Sequence, residues 1–596
     1  MKKRLFTIFL CTLFIAMMIP SSVLGAVDNA RGLNYDTFDY AADIAAMNPK
    51  NDAFTTPDPA EAYGITVTDD KGATGVQLSD PKSGADGKNY YLNAMVAGND
   101  LKFKSKDLNF KDNVTVTYDG VTQPVKAAGK EFKFTPQPIN IDNPVDEIIN
   151  IAINADTTIH VHMVNDRFAD FKVQQTTEPE AGVYTFAING MLYRTDTKSN
   201  LVYYRVCWND MYNGVDNFPN FKVFDTKDGR FYTFHEQLNF KDSYGYGFGM
   251  IVVMDKFYRE VNYITLAAND DPAHQHGEGY LDFHEFQLYG QNDYFAFSYM
   301  PLHVYNVPDG LGLGKNNNEA LVFAGIWQDV QNGKIVHEYC TADYPNLYKT
   351  SMAGNNFKAA DHDNDGNIDP GLAINGTNYM DYVHCNSLNI DPKDGNFIVS
   401  MRHQCSVFKF DRKTGKLLWV LGGKGNNFTY AGDPANDPTA LEGAPAVPEL
   451  TDANGGLHDW LLNGQHYAQY MDASIAGNFN TISIFDNHAG VNTVPAQPSG
   501  LDKTRGLELV LNENNLTYTV ANNFKGSGFD ATIGGPSHKA SSQGSFAPYS
   551  KDWALLGWGG SNSNIFTDFA VSNPYHQYYN LTVTSGTSYR TYKNKY

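Results

Sequence analysis

Phe410-Asp-Arg-Lys-Thr-Gly-Lys416, running on into Leu417-Leu-Trp-Val-Leu-Gly-Gly423, reads as a β-hairpin turn and the strand that follows it. Aromatic and branched apolar residues suit a pleated, half-buried surface, and Asp, Thr and Gly supply the turn. The device recurs at Phe224-Asp-Thr-Lys-Asp-Gly-Arg230 and at Gln328-Asp-Val-Gln-Asn-Gly-Lys334. A second echo links Phe234-His-Glu-Gln-Leu238 to Phe283-His-Glu-Phe-Gln-Leu288, 49 residues further on. Self-similarity at roughly 40–50 residues marks a radial or stacked repeat. The spacing elsewhere is uneven, so the repeats carry insertions. Residues 143–596 are therefore expected to form a β-propeller. In that fold, residues distant in sequence meet where the loops of all blades converge.

Ahead of this region, residues 27–142 read as a separate β-sandwich. Gly64-Ile-Thr-Val-Thr68, Asn113-Val-Thr-Val-Thr-Tyr118 and Glu131-Phe-Lys-Phe134 alternate as strands do, divided by Gly- and Asp-containing turns. Residues 1–26 have the pattern of a cleavable signal peptide: Lys2, Lys3 and Arg4, an apolar run to about Pro20, then small residues to Ala26. No later stretch reaches the ~18–20 apolar residues of a spanning helix. The expected setting is outside the cytoplasm, secreted or periplasmic, with no membrane span.

The chain carries 45 Lys and Arg against 66 Asp and Glu, a formal charge of −21. Loss of the leader makes it three units more negative. That balance argues against a nucleic-acid partner, which needs a basic face. Thirty-seven Tyr, 37 Phe and 52 Gly fit an all-β protein of many short strands. Cys207, Cys340, Cys385 and Cys405 remain after processing, too few for a disulfide scaffold. Cys385 and Cys405, on successive expected strands, either pair or stay free.

The segments with chemical potential are Phe283-His284-Glu285, Val383-His384-Cys-Asn386-Ser387, Ser400-Met-Arg402-His403-Gln404 and Gly464-Gln465-His466, followed by Ile484-Phe-Asp-Asn487. In order and type they resemble the bacterial arylsulfotransferases that work without the nucleotide donor PAPS. The resemblance lies in a His-x-Asn-Ser strand start, an Arg-His-Gln strand end and a Gln-His ahead of an Ile-Phe-Asp-Asn strand. It is clear from His284 to Asn487 and weaker at Tyr589-Arg590. It implies a six-bladed propeller with an N-terminal β-sandwich, often a homodimer. It also implies a ping-pong reaction that moves a sulfuryl group from an aryl sulfate to a phenol, with no nucleotide cofactor. By position His466 matches the nucleophile. His284, His384, Asn386 and Arg402 match the residues that hold the sulfuryl group, and Tyr589 matches an aromatic of the site wall. Cys385 between His384 and Asn386 departs from better-known members. The family's hydroxyl ligand has no clear counterpart; Ser537 to Ser542 is its neighbourhood.

The residue chemistry agrees with that implication. Neutral imidazole attacks without prior ionisation near pH 7. Charge developing on three sulfuryl oxygens calls for fixed donors, which Arg402, Asn386, His284 and His384 offer. A protonated His can supply the leaving phenoxide with a proton and then deprotonate the acceptor. His284 and His384 both qualify. Against this stands a plainer reading, in which these histidines bond between strands, Arg402 pairs with an acidic loop and Asn386 makes a turn. His235 echoes His284 without a family counterpart and reads as structural. His403, next to Arg402 on a strand, is expected to face the opposite way.

Asp361-His-Asp363-Asn-Asp365-Gly366-Asn367-Ile-Asp369 has oxygen ligands at alternate positions and Gly at the sixth, as a calcium loop begins. Position 12 is Leu372 rather than Glu, so a structural calcium would need a ligand from elsewhere. Gly310-Leu-Gly-Leu-Gly-Lys315 lacks phosphate-loop spacing, and neither His-Glu pair has the second His of a zinc protease. No Cys or Ser begins the Cys/Ser-x-Pro-x-Arg motif of hydrolytic sulfatases. Two rivals remain: a sulfate-ester hydrolase using the same His466, and a secreted binding module without activity.

Overall fold

The computed structural model describes the strands within 27–28 and 65–93, most of 101–135, the strands of 147–164, and most of 171–594. The larger internal stretches outside the description are 198–200, 210–213, 216–218, 242–245, 272–274, 354–360, 369–378, 434–460 and 490–503. The expected leader, residues 1–26, also lies outside it.

The chain is all-β. Among the described residues the α-helices are short: Asn346–Thr350, Ala473–Ala476 and Gly526–Ile533. No helix among them is long and apolar enough to cross a membrane. The quoted hairpin forms as its residues dictate. Ser406–Phe410 pairs antiparallel with Leu417–Leu421. Between them Asp411 Oδ1 accepts from the Lys413 and Thr414 amides and from the Thr414 hydroxyl. Gly415 adopts φ 68°, where a side chain would be strained.

Among the described residues, six sheets with a core of four antiparallel strands follow one another from residue 183 onward. The second runs Lys222–Thr226, Gly229–Lys241, Gly247–Met254 and Glu260–Ile264. The third runs Phe286–Gly290, Asp293–Val304, Ala320–Gln331 and Lys334–Cys340. The fourth is Cys385–Ile390, Phe397–Met401, Ser406–Phe410 and Leu417–Leu421. The fifth is His466–Tyr470, Thr481–Asp486, Arg505–Asn512 and Thr517–Lys525. The sixth is Ser545–Pro548, Trp553–Gly557, Asn564–Ala570 and Tyr578–Val583, with Phe171–Gln175 added outside. The first joins Val183–Ile188, Met191–Asp196 and Leu201–Val206 to the late strand Thr591–Asn594.

Among the described residues no sheet closes on itself. The leading strand of each, however, touches the next: Lys222–Thr226 touches Phe286–Gly290, and so on through Cys385–Ile390, His466–Tyr470, Ser545–Pro548 and Thr591–Asn594, which returns to Lys222–Thr226. Between sheets the contacts are aromatic. Trp327 of the third sheet packs against Phe397 and Phe410 of the fourth and is fully buried. Burying one such side chain is worth about 1.5–3 kcal/mol.

The N-terminal strands form two sheets, one of five strands and one of six. The six-stranded sheet includes Glu147–Asn154 and Thr157–Val164, which pair with Val114–Tyr118 and Gly87–Asn93. The expected division at residue 142 therefore falls inside one sheet. The two late strands alternate as any half-buried strand does, so their partners are not legible from their own residues.

Candidate active site

The candidate residues share one end of the leading strands. His284 lies two residues before Phe286–Gly290, and His384 immediately precedes Cys385–Ile390, which carries Asn386. His466 opens His466–Tyr470, Tyr589 lies two residues before Thr591–Asn594, and Arg402 follows Phe397–Met401. Repetition of one strand start around a series of sheets brings them together.

His466 is 1% exposed. Its Nδ1 lies 2.6 Å from Asn487 Oδ1. Asn487 Nδ2 donates to the carbonyls of Ala540 and Gln543, which fixes Oδ1 as an acceptor. Nδ1 of His466 therefore carries the hydrogen. The other ring nitrogen, Nε2, holds a lone pair that accepts from the Gln543 amide at 3.1 Å. Burial pushes the pKa of His466 well below the usual histidine range, and the Arg402 and Arg590 charges reinforce this. A neutral imidazole with a defined nucleophilic nitrogen results.

The two other histidines are each gripped by an aspartate at both the backbone amide and the ring. Asp282 Oδ1 accepts from the His284 amide at 2.9 Å and faces Nδ1 at 2.5 Å. Asp381 Oδ1 accepts from the His384 amide at 3.0 Å, and its Oδ2 faces Nδ1 at 2.6 Å. The two rings stand nearly perpendicular with centroids 5.0 Å apart. His384 adopts φ 46°, a strained conformation that the Asp381 turn holds in place. Burial lowers its pKa to about 4, against the pull of Asp381. Burial works against ionisation of Asp381 too, yet His403 and His384 together hold it well below the usual carboxylate range.

His403 does not face away. The strand ends at Met401 and Arg402–Gln404 forms a 3₁₀ turn, so strand alternation stops before His403. Its ring lies 4.7 Å from that of His384, its Nδ1 reaches the Asp381 carbonyl at 2.8 Å, and its Nε2 accepts from Arg402 Nη1 at 3.0 Å.

Asn386 Nδ2 donates to the Gln465 carbonyl at 2.7 Å, which ties the fourth sheet to the residue before His466. Its Oδ1 is buried without a partner among the described residues, as are Arg402 Nε and Gln543 Oε1. Unpaired buried polar atoms cost about 1–3 kcal/mol each, and several beside one histidine suit a polar ligand. Tyr589 is buried edge-on against Phe283 and His284. From the Ser537–Ser542 neighbourhood, the group that reaches His466 is the backbone amide of the next residue, Gln543.

Reasoning from the sequence missed Asp282, Asp381 and Gln543, and gave no role to Asn487 and Arg590 although both lie in segments it singled out. A signal existed for the first two: Asp stands two residues before His284 and three before His384, as Asp486 does two before His488. Arg590 is buried, with Nη1 on Glu285 Oε2 at 3.1 Å and Nη2 on the Asn386 carbonyl.

Residues 223–436 match the Arylsulfotransferase (ASST) family. The arylsulfotransferase match spans His284, His384, Asn386 and Arg402 and ends before His466 and Tyr589. No curated protein matches the chain. Among solved structures, an auxiliary nutrient binding protein from Bacteroides ovatus is 8% identical, covering 86% of this chain and 90% of that one, with a TM-score of 0.27. A protein of unknown function from Bacteroides caccae is 8% identical, covering 70% and 100%, with a TM-score of 0.30. Kluyveromyces lactis Hsv2 is 8% identical, covering 70% and 98%, with a TM-score of 0.27. Likenesses at these scores bear on neither the activity nor the substrate.

Other expected features lie elsewhere. His235 is buried and bonds the Leu281 carbonyl through Nε2. Cys385 and Cys405 are free and buried; Cys207 lies outside the described residues. Asp361, Asp363 and Asp365 present carboxylate oxygens within 4.8 Å of one another. Asp361 Oδ2 accepts from the Gly366 amide, and Gly366 takes φ 88°. Asp369 lies outside the described residues.

Proposed function

We propose that the protein transfers a sulfuryl group from an aryl sulfate ester to a phenol, by a ping-pong route through a sulfohistidine at His466. The observation that carries this reading is the hydrogen placement on His466: Asn487 holds Nδ1–H, so Nε2 is the nucleophile. In the first half-reaction Nε2 attacks sulfur, the Nε2–S bond forms and the bond from sulfur to the aryl oxygen breaks. The aryl oxide takes a proton from His284, because burial keeps His384 neutral above about pH 4. The sulfated ring keeps Nδ1–H on Asn487 Oδ1, which steadies its positive charge and keeps it a good leaving group. In the second half-reaction a phenol gives its proton to the same base and its oxygen attacks sulfur. The S–N bond then breaks and neutral His466 returns.

Arg402 supplies a cation to the sulfuryl oxygens, and Asn386 an amide in the same cradle. Asp282 orients the acid–base histidine, as a carboxylate orients the histidine of a hydrolytic triad, and Asp381 orients His384 beside it. The chemistry needs no nucleotide. The six successive sheets, with leading strands that touch in turn, support a six-bladed β-propeller; the two N-terminal sheets support a β-sandwich ending near residue 164. We further place the mature protein outside the cytoplasm, as a homodimer. A structural calcium at Asp361, Asp363, Asp365, Asn367 and Asp369 fits the buried, unpartnered Asp361 Oδ1.

The test is phenol release from a chromogenic aryl sulfate, with and without a second phenol, combined with mass analysis of the quenched protein. Acceptor-dependent release and a sulfuryl adduct on the His466 peptide, both lost in His466→Ala, support the transferase. Release that ignores the acceptor points to hydrolysis. Wild-type turnover by folded His466→Ala overturns the reading.

A further inference from the structure

Arg590 is a buried cation to which the chemistry above gives no part. It is 2% exposed and lies between two rings, its guanidinium carbon 4.9 Å from the centroid of Tyr467 and 4.8 Å from that of Tyr589. Nη1 donates to Glu285 Oε2, and Nη2 to the Asn386 carbonyl and, at 3.4 Å, to the Tyr589 hydroxyl. Each contact adjoins a group of the candidate site. Glu285 follows His284 in the chain, Asn386 lies in the sulfuryl cradle, and Tyr467 follows His466. Tyr467 holds φ 51°, a conformation that persists only where its surroundings impose it. Glu285 also binds the buried Lys222, so the clamp is anchored in the second sheet as well.

We infer that Arg590 is a positioning residue for sulfuryl transfer, a planar clamp that holds the third, fourth and fifth leading strands at one spacing around His466. This rests on the sulfuryl-transfer reading above. A guanidinium offers a two-pronged fork and two stacking faces at once, which an ammonium group cannot. The same charge acts with burial and Arg402 to disfavour imidazolium at His466.

The experiment compares Arg590→Lys and Arg590→Gln with wild type in the full chain. Circular dichroism and melting establish the folded fraction. Quenched single turnovers with 4-nitrophenyl sulfate then measure His466 adduct formation across pH. Both variants are expected to lose about 100-fold in rate at saturating ester with little change in KM, the penalty of small misplacement at a reacting centre. The acid limb of the rate profile moves up in Arg590→Gln and stays in Arg590→Lys, which keeps the charge. If Arg590→Gln fails to fold, the rate loss and unmoved limb of Arg590→Lys carry the test. Variants that melt earlier but react at the wild-type rate per folded molecule reduce Arg590 to a structural tie and overturn the inference. A wild-type protein without a His466 adduct overturns the sulfuryl-transfer reading itself.

Discussion

Asn487 Oδ1 stands 2.6 Å from His466 Nδ1 and, because its own amide nitrogen is committed to two carbonyls, accepts and never donates there. Asn487→Ala removes the group that selects the Nδ1–H tautomer. Loss of such an orienting partner commonly lowers activity by about 10–100-fold. Quenched single turnovers with His466 adduct mapping read this directly. Asn487→Asp places a carboxylate against the ring, favours imidazolium, and is expected to move the acid limb of adduct formation to higher pH.

Arg402 acts on His466 as a nearby cation, and its Nε has no protein partner among the described residues. Arg402→Lys keeps the charge and loses the fork. Removing one fixed donor from a developing anion typically lowers kcat by about 100- to 1,000-fold. Steady-state kinetics with 4-nitrophenyl sulfate should show the loss mainly in kcat. A loss confined to KM would place Arg402 outside the transition state.

His235 and His384 are buried with pKa values near 4, below the ordinary 6.5. Below pH 6.5 the unfolded chain binds protons that the folded chain refuses. Stability from these groups is therefore full above pH 6.5 and lost progressively down to about pH 4. Each shift corresponds to about 3 kcal/mol at the acid end. Guanidinium midpoints should fall steadily between pH 7 and pH 4.5. His235→Gln, outside the candidate site, should make that fall shallower, and an unchanged slope would disprove the assignment.

Lys409 is a fully buried ammonium that bonds Asp391, Asp394 and Glu513 at 2.5–2.8 Å. Lys409→Met leaves the buried Asp391 with the more distant, exposed Lys393 ammonium, 3.9 Å away, as its remaining cation. A loss of about 3–5 kcal/mol is expected in urea unfolding. Transfer activity per folded molecule should be retained, since this cluster lies among the fourth and fifth sheets at the far end of their leading strands.

The loop at Asp361 makes a separate prediction. Calcium should raise the melting temperature and EGTA lower it, and Asp361→Asn should blunt both effects. Equal melting with and without the ion would remove calcium from the account.

Much of this site was readable from local chemistry. The hairpin at Asp411 follows from residues that each favour a turn, and His284, His384, Arg402 and His466 stand in segments whose residue types suit anion transfer. What escaped depends on where strands stop. His403 was expected on the opposite face because nothing in Met401-Arg402-His403 announces the 3₁₀ turn. Arg590 reaches the site only because Thr591–Asn594 joins a sheet begun by Val183–Ile188, and pairing across that separation leaves no mark on either strand. A pairing of the same kind joins Thr157–Val164 in parallel to Gly87–Asn93, far behind it in the chain, and neither strand's residues announce it.

That late pairing also sets a timetable. The strand Val183–Ile188 leaves the ribosome some 400 residues before its partner Thr591–Asn594, and at about 5–20 residues per second that is a wait of tens of seconds or more. During that interval the first sheet has an open edge and His466 lacks Tyr589 and Arg590 as neighbours. On the sulfuryl-transfer reading, the pairing that completes the first sheet is therefore also the one that brings Tyr589 and Arg590 to His466.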